Sequence, residues 1–333
     1  MKSTSDTAVM IVATAVTAHG AFLSENQYQF LFSKYITNFS KAYDTKDVLG
    51  KYTTFKDNLD MILEHNRSNA TYTMGINQFT DMTDEEFSDY ANLNKILADA
   101  GDVADTEFII QEQSLEPIGS FDWSAIIPLR VKSQGSCGSC WAFSASSTYS
   151  YNYAISSRQT SALDLSEQQL VDCDTKSSGC NGGLISHALN WVNSNKGLCT
   201  QVEYPYTSKR GKCWTDCNKV YKPFYVTSVR GTESTLVNTL KTGPIAVAVD
   251  ASPSCFRHYS SGILSGCPGN GLNHAVVAVG FGSDGPSEFI KLRNSWGESW
   301  GDGGYVRIAY GKDVISIGKS LLNGEDVYPK FLN

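Results

Sequence analysis

The sequence predicts an α+β protein of two lobes with a cleft between layers, preceded by a mainly helical region. Three observations carry this. Helix-like patterns fill residues 25–66 and 139–195, short β-branched runs fill the chain after about 223, and an acidic, weakly periodic stretch from about 96 to 116, closed by Pro117, separates the first helical region from the rest. The chain has 333 residues, 41% hydrophobic and 18% charged, enough to bury a sizeable core and unlike the apolar-poor composition of disorder.

The elements follow in order. Lys2 precedes an apolar run, Ala8 to Ala18, that closes on Val16-Thr17-Ala18, a small-residue cleavage signal. Eleven residues are too few to cross a bilayer, so residues 1–18 read as a secretory signal and no membrane span is expected. In "FKDNLDMILEHN", Phe55, Leu59 and Ile62 recur at helical spacing with charges between them. The stretch 96–116 reads as an extended, cleavable connector. Beyond it, Ser139 can cap a helix running through Trp141, Ala145, Tyr149 and Tyr153; Ser166-Glu167-Gln168-Gln169 fits a capping box; and Ile185, Ala188, Leu189 and Val192 mark an amphipathic stripe ended by Gly197. The runs "PIAVAVDA", "HAVVAVGFG", "EFIKLRN" and "GYVRIAY" read as strands, with no helix-length amphipathic segment between them.

Charge is unevenly placed. Residues 1–116 carry 8 Lys and Arg against 18 Asp and Glu, whereas 117–333 carry 19 against 16, so that one half can neutralise the other. No Lys/Arg cluster points to nucleic acid.

Nine cysteines, at 137, 140, 173, 180, 199, 213, 217, 255 and 267, all follow the connector. In an exported chain that pattern reads as a disulfide-braced region, and the odd count leaves at least one thiol over. Cys137 and Cys140 lie three apart in "QGSCGSCWAFS". A redox pair would need a βαβ setting, which is absent, and a zinc site would need a second paired-ligand half, which is missing too. No metal or cofactor is therefore expected. Nucleophilic catalysis needs a thiolate, a histidine, an orienting group and an oxyanion donor. Cys140, just after the cap, falls in a first helical turn, where unpaired N–H groups and the macrodipole favour an anion; Cys137 does not. Of the three histidines after the connector, His187 reads as a packed or surface helix residue and His258 as a loop residue without a clear structural role. His274 opens a probable buried strand, a rigid place for a base. Asn294 supplies an amide, with Trp296 and Trp300 able to shield a hydrogen bond from water.

Taken together, "QGSCGSCWAFS", "GCNGG" (179–183), "LNHAVVAVGFG" (272–282) and "NSWGESWGDGGY" (294–305) resemble the papain-like cysteine peptidases of the cathepsin L type, over nearly the whole chain. Cysteine to histidine spans 134 residues and histidine to asparagine 20, within the family's offsets. The first half resembles the family's inhibitory prosegment. Asp47, Lys51, Phe55, Asn58, Ile62 and Asn66 fall at the spacing of its long helical signature, with Asp and Lys where Glu and Arg are usual, and Gly75, Asn77, Phe79 and Asp81 match its second motif.

The resemblance implies a papain-like two-lobe fold with a helical lobe (about 117–222) and an antiparallel, barrel-like β lobe (about 223–333), behind a helical prosegment (19–116). It implies a thioester-forming endopeptidase made as a zymogen. In it Cys140 and His274 form a thiolate–imidazolium pair, Asn294 orients the imidazole, and Gln134 with the Cys140 backbone N–H forms the oxyanion hole. Gly182 and Gly183 would take an extended substrate backbone, with Asn273 and Trp296 also beside the substrate. Leu184, Ile185, Ala248, Leu272 and Ala275 would line an apolar pocket for the residue two before the scissile bond. Glu325 would stand at the pocket base, accepting Arg, or else be a solvated acid. Bridges Cys137–Cys180 and Cys173–Cys213 are usual in the family, Cys199–Cys217 resembles an extra one, and Cys255 is left with Cys267, whose customary C-terminal partner is absent.

Expected partners are protein and peptide substrates, the chain's own prosegment and cystatin-like inhibitors, for a monomer in the secretory pathway that is either kept in an acidic vesicle such as a lysosome or vacuole, or secreted. Self-processing is expected near Gln113 to Pro117 at acid pH. Sequons at Asn38, Asn66 and Asn69 lie only in the prosegment, Asn66 packed within its helix. A silent homologue would lack one of Cys140, His274 or Asn294, and an inhibitor alone would not carry a complete site. No His-bearing insertion lies between Gln134 and Asn181 to block the cleft, which favours endopeptidase action over exopeptidase action.

Overall fold

A computed structural model describes residues 22–91, 119–324 and 326–332. The signal, the connector with its processing region, and Glu325 lie outside the described residues. In the N-terminal region, α1 (Glu25–Asn38) and α2 (Val48–Arg67) lead into β1 (Tyr72–Met74) and α3 (Asp84–Ala91). Tyr28, Phe32 and Tyr35 of α1 close on Phe55 and Leu59 of α2 in a small aromatic core. Burying each such side chain contributes roughly 1.5–3 kcal/mol, and the i, i+4, i+7 spacing of Phe55, Leu59 and Ile62 puts all three on the buried face.

The first part of the main body holds β2 (Phe121–Asp122), α4 (Trp123–Ile126), α5 (Cys140–Ser156), α6 (Glu167–Cys173) and α7 (Ile185–Ser194). Helix α5 is rich in Ala and Ser and buried on almost every side, which is why it carries so little amphipathic signal. It packs between α6 and α7 on one side and the sheet on the other. Ser139 occupies its N-cap position but does not cap it. The hydroxyl pairs with that of Tyr206 at 2.6 Å. Ser166 does cap α6 by accepting from the Gln169 N–H at 3.0 Å, but the Gln169 side chain accepts instead from the Cys199 N–H, so the box is half made.

The rest of the chain forms β3 (Phe224–Val229), α8 (Glu233–Leu240), β4 (Ile245–Val249), α9 (Ser254–Arg257), β5 (Tyr259–Leu264), β6 (His274–Asp284), β7 (Ser287–Arg293), β8 (Tyr305–Ala309), α10 (Ile317–Asn323) and β9 (Asp326–Phe331). Helices α8 and α10 correct the expectation of strands alone. Both are under three turns; α8 is buried on nearly all faces and so shows no helical stripe, and α10 buries only Ile317, Ser320 and Leu321, too short a stripe to mark a helix in the sequence. The strand order is β1-β5-β8-β7-β6-β4-β9-β3, with β2 on β6, so a strand from the helical half joins the β half's sheet.

Two features position the site. Val249 pairs with His274 across β4 and β6, fixing where the buried strand begins. On the outer edge β1 adds antiparallel to β5, with Tyr72 opposite Gly262. At Gly262 (φ +88°) a Cβ would fall 2.5 Å from the Thr71 carbonyl oxygen, so only glycine lets the N-terminal strand lie this close. The main core of the β half includes Phe79 and Phe87 from the N-terminal region.

Candidate active site

Four disulfides hold the main body: Cys137–Cys180, Cys173–Cys213, Cys199–Cys217 and Cys255–Cys267. Cys140 is the one unbridged cysteine among the described residues, and it is the first residue of α5. Its sulfur is buried, and burial pushes the thiol up to about 11, opposed by the backbone N–H groups of Ala275, Trp141 and Cys140 itself, which favour the anion. Ala275 follows His274, so the Cys140 sulfur and the strand that begins at His274 meet here.

His274 is fully buried. Its Nε2 lies 2.8 Å from Asn294 Oδ1, which can only accept, so Nε2 carries the proton and Nδ1 is left as the lone-pair nitrogen. Asn294 Oδ1 also accepts from the Ser295 N–H at 2.7 Å, holding the amide in that orientation. Burial pulls the imidazole down to about 4, against the Asn294 bond, which favours the charged ring. Trp296 stacks on it with centroids 4.7 Å apart, and Trp300 meets Trp296 edge-on at 5.2 Å, so the His274–Asn294 bond sits behind aromatic rings.

Gln134 is gripped at both ends of its amide. Oε1 accepts from Ser295 Oγ at 2.7 Å and Nε2 donates to the Cys137 carbonyl at 3.0 Å. Its own backbone carbonyl accepts from Tyr206 at 2.8 Å. Ser295 lies within "NSWGESWGDGGY", where a small hydroxyl beside Asn294 is the only sign in the sequence of its grip on Gln134.

Among the pocket residues, Ala248 and Ala275 are buried and directly opposed across β4 and β6, Ile185 is buried at the start of α7, and Leu184 and Leu272 are half-buried. Asn273 is half-buried and bonded to Asp250. Gly182 adopts φ +104°. Gly183 has an internal reason to be glycine: a Cβ there would lie 2.6 Å from Ser177 Oγ and 2.7 Å from the Trp141 ring.

The N-terminal region lies against this site. Phe79 and Phe87 meet Trp296 edge-on at 5.2 and 5.5 Å, and Gln78 Nε2 donates to the Trp296 carbonyl at 2.8 Å. Asn77 Nδ2 donates to the Arg257 carbonyl at 2.7 Å, and the buried Arg257 guanidinium pairs with Asp84 at 2.8 Å over the Phe87 ring. The Gly75 N–H donates to the His258 carbonyl at 2.8 Å. His258 is therefore no loop bystander. It is fully buried at the end of α9, where β1 docks. Within the N-terminal region Asp81 accepts from Lys41 and Tyr43, both at 2.8 Å, and from Tyr35 at 2.5 Å; Asn58 Nδ2 donates to the Thr80 and Met82 carbonyls; and Asn66 is held by two bonds to the Met74 backbone. Lys51 pairs with Glu86 at 2.8 Å.

Residues 119–325 match the family described as papain family cysteine protease, and residues 32–87 match the cathepsin propeptide inhibitor domain (I29). The chain is 38% identical over 289 residues to cysteine protease XCP2 of Arabidopsis thaliana, covering 84% of this chain and 80% of that protein. Its fold is similar to that of a recombinant stem bromelain precursor (TM-score 0.79, 32% identity, 92% of this chain and 100% of the other). It is also similar to digestive procathepsin L2 of Tenebrio molitor larval midgut (TM-score 0.81, 31% identity, 91% and 100%). A helix that opens on an unbridged cysteine, a buried histidine–amide bond and a docked N-terminal region thus occur in a chain matched along most of its length, and this protein belongs to the papain family of cysteine proteases, with a cathepsin-type propeptide domain ahead of the protease domain.

Proposed function

We propose that the chain is the zymogen of an endopeptidase in which Cys140 attacks the scissile carbonyl and His274 moves the proton. The observation that carries this reading is the His274 Nε2–Asn294 Oδ1 bond, which leaves Nδ1 as the base on the strand that borders the Cys140 sulfur. The thiol proton passes to Nδ1, sulfur bonds to the carbonyl carbon, and the oxyanion is held by Gln134 Nε2 and the Cys140 N–H. His274 then returns the proton to the leaving amine, a thioester remains, and water activated by the same ring hydrolyses it. In the closed proform burial favours the neutral thiol and imidazole. Losing the prosegment readmits water, so the charged pair can form. The test is titration of acid-treated protein with an irreversible thiol-directed epoxide while peptide hydrolysis is followed. One equivalent on Cys140 supports the reading, and label on another side chain with activity lost overturns it.

Acid activation fits the docked face. Burial and the Arg257 cation hold His258 down to about 3, so it is neutral under β1. Any loosening of β1 that readmits water to this ring moves it back towards its ordinary range near 6.5, so its support for docking is fullest above that pH and declines as pH falls. Burial raises the Asp81 carboxyl, but Lys41, Tyr35 and Tyr43 outweigh that and keep it below its ordinary range, so its contribution fails only at lower pH. His258→Asn should shift half-maximal self-processing about one pH unit downward, read from proform and mature bands across a pH series. An unmoved midpoint would remove His258 from the trigger.

The apolar walls at Ala248, Ala275 and Ile185 support a preference for Leu, Val or Phe two residues before the cut bond. Glu325, next to Asp326 at the start of β9, is proposed to add acceptance of Arg at that position. Glu325→Ala should lower the Arg/Leu rate ratio about tenfold, the scale of one lost charge-assisted contact, in paired fluorogenic peptides; an unchanged ratio ends that idea. Four disulfides support maturation in an oxidising compartment of the secretory pathway.

A further inference from the structure

We propose that Asp250, the residue after β4, is a positioning residue for the catalytic base, its carboxylate latching segment 270–273, and through it His274, onto the sheet. The inference rests on the reading of His274 as base. Asp250 is 3% exposed, and four N–H donors converge on it: Oδ1 accepts from the Ser252 backbone at 2.9 Å and Asn273 Nδ2 at 2.8 Å, and Oδ2 from the backbones of Asn270 at 2.6 Å and Gly271 at 3.2 Å. The Asn273 amide is thereby used at both ends, since its Oδ1 accepts from the Ala251 N–H at 2.8 Å and its Nδ2 also reaches Ser252 Oγ at 2.6 Å.

The latch has work to do because of what precedes His274. Between β5 and β6 the chain passes Gly266, Gly269 and Gly271, a segment with much conformational freedom to lose. Of its last residues, 270–273, the ladder itself takes up the Asn273 N–H, which donates to the Val249 carbonyl at 3.0 Å, whereas the Asn270 and Gly271 N–H groups both end on the Asp250 carboxylate. Bonds to an ionised acceptor are about twice as strong as neutral ones. The same four residues include Leu272, so one carboxylate sets both the pocket wall and the start of the strand that bears the base.

The charge has a second effect. Val249 stands opposite His274, which places Asp250 opposite Asn273, one residue from the imidazole's own position. The segments bonded to Asp250 or next to those bonds (251–253, 269–273 and 314–316) contain no charged side chain, and His274 is the titratable group that follows them. Burial raises the Asp250 carboxyl, but its N–H partners outweigh that and hold it below the ordinary carboxylate range, so the latch stays ionised in an acidic compartment. An ionised carboxylate at the neighbouring register position favours the imidazolium over the neutral ring.

The experiment uses the acid-activated full chain carrying Asp250→Asn, with kcat and KM measured against pH and the rate of Cys140 alkylation by iodoacetamide measured in parallel. The carboxamide turns its own N–H groups towards donors. The expected result is a kcat about ten- to a hundredfold lower, with the alkaline limb of both profiles moved about half a unit to one unit towards acid. Profiles that superimpose on those of the unaltered enzyme, whether or not activity falls, overturn the proposal, because a merely structural loss would not move the limb. Asn273→Ala keeps the carboxylate and cuts the side-chain link, and serves if Asp250→Asn does not fold. It should lower kcat with the limb retained, and an unchanged kcat overturns the latch. His274→Ala with full turnover would sink the reading of the base itself, whereas an inactive His274→Ala beside unmoved Asp250→Asn profiles sinks this inference alone.

Discussion

Cys140→Ser is expected to abolish peptide hydrolysis, by about 10⁴-fold or more, and to leave the protein as an uncleaved proform at acid pH. The change is small in volume, and Cys140 has no bridge to lose, so the fold should survive. What disappears is the reactive anion. A thiol is within a few units of ionising under ordinary conditions, and the N–H groups of Ala275, Trp141 and Cys140 are placed to favour its thiolate. An alcohol lies several units further away, so the same donors and the same imidazole cannot ionise it. Intact mass after incubation at about pH 4–5, near carboxylate pKa values, reports processing, and fluorogenic peptides report turnover on protein processed by a trace of active enzyme. Turnover that survives the substitution would show that the sulfur is not the nucleophile.

Gln134→Ala is expected to lower kcat by about 10²–10³-fold with little change in KM. The reason is geometric. Ser295 Oγ holds Oε1 and thereby fixes which end of the amide is the nitrogen, so Nε2 is directed to the Cys137–Cys140 turn before any substrate arrives. Such a donor strengthens only as negative charge develops on the carbonyl oxygen, which is why its loss appears in kcat. Ser295→Ala should give a weaker version of the same defect, since it frees the amide to rotate without removing it. Equal losses in kcat/KM arising wholly from KM would place Gln134 in ground-state binding instead.

Much of the fold and of the site is legible in residue order because the signals are local. A thiol at the start of a helix, an amphipathic stripe at Ile185 to Val192, and the unbroken apolar run that begins at His274 each report their own surroundings. Helices α8 and α10 are not legible, α8 because burial on most faces erases the periodicity by which a short helix is recognised, and α10 because its seven residues are too few to establish a period. His258 escapes for another reason. Its environment is built by Gly75 and by the neighbouring Arg257, which is itself neutralised by Asp84, so its role depends on contacts spanning over 170 residues. Gly183 carries a constraint that residue order does not show: the resemblance implies a substrate-facing glycine, and Trp141 and Ser177 also forbid a side chain from within.

The addition of β1 to β5, with Phe79 and Phe87 against Trp296, has a kinetic meaning. While the chain is continuous, inhibitor and enzyme meet at an effective concentration of about millimolar, set by the tether, and each local opening is followed by recapture. A single cut turns that into an encounter between two molecules, so that at cellular dilution the departing strand has little chance of return. The backbone break, more than any weakening of the contact, makes the release one-way.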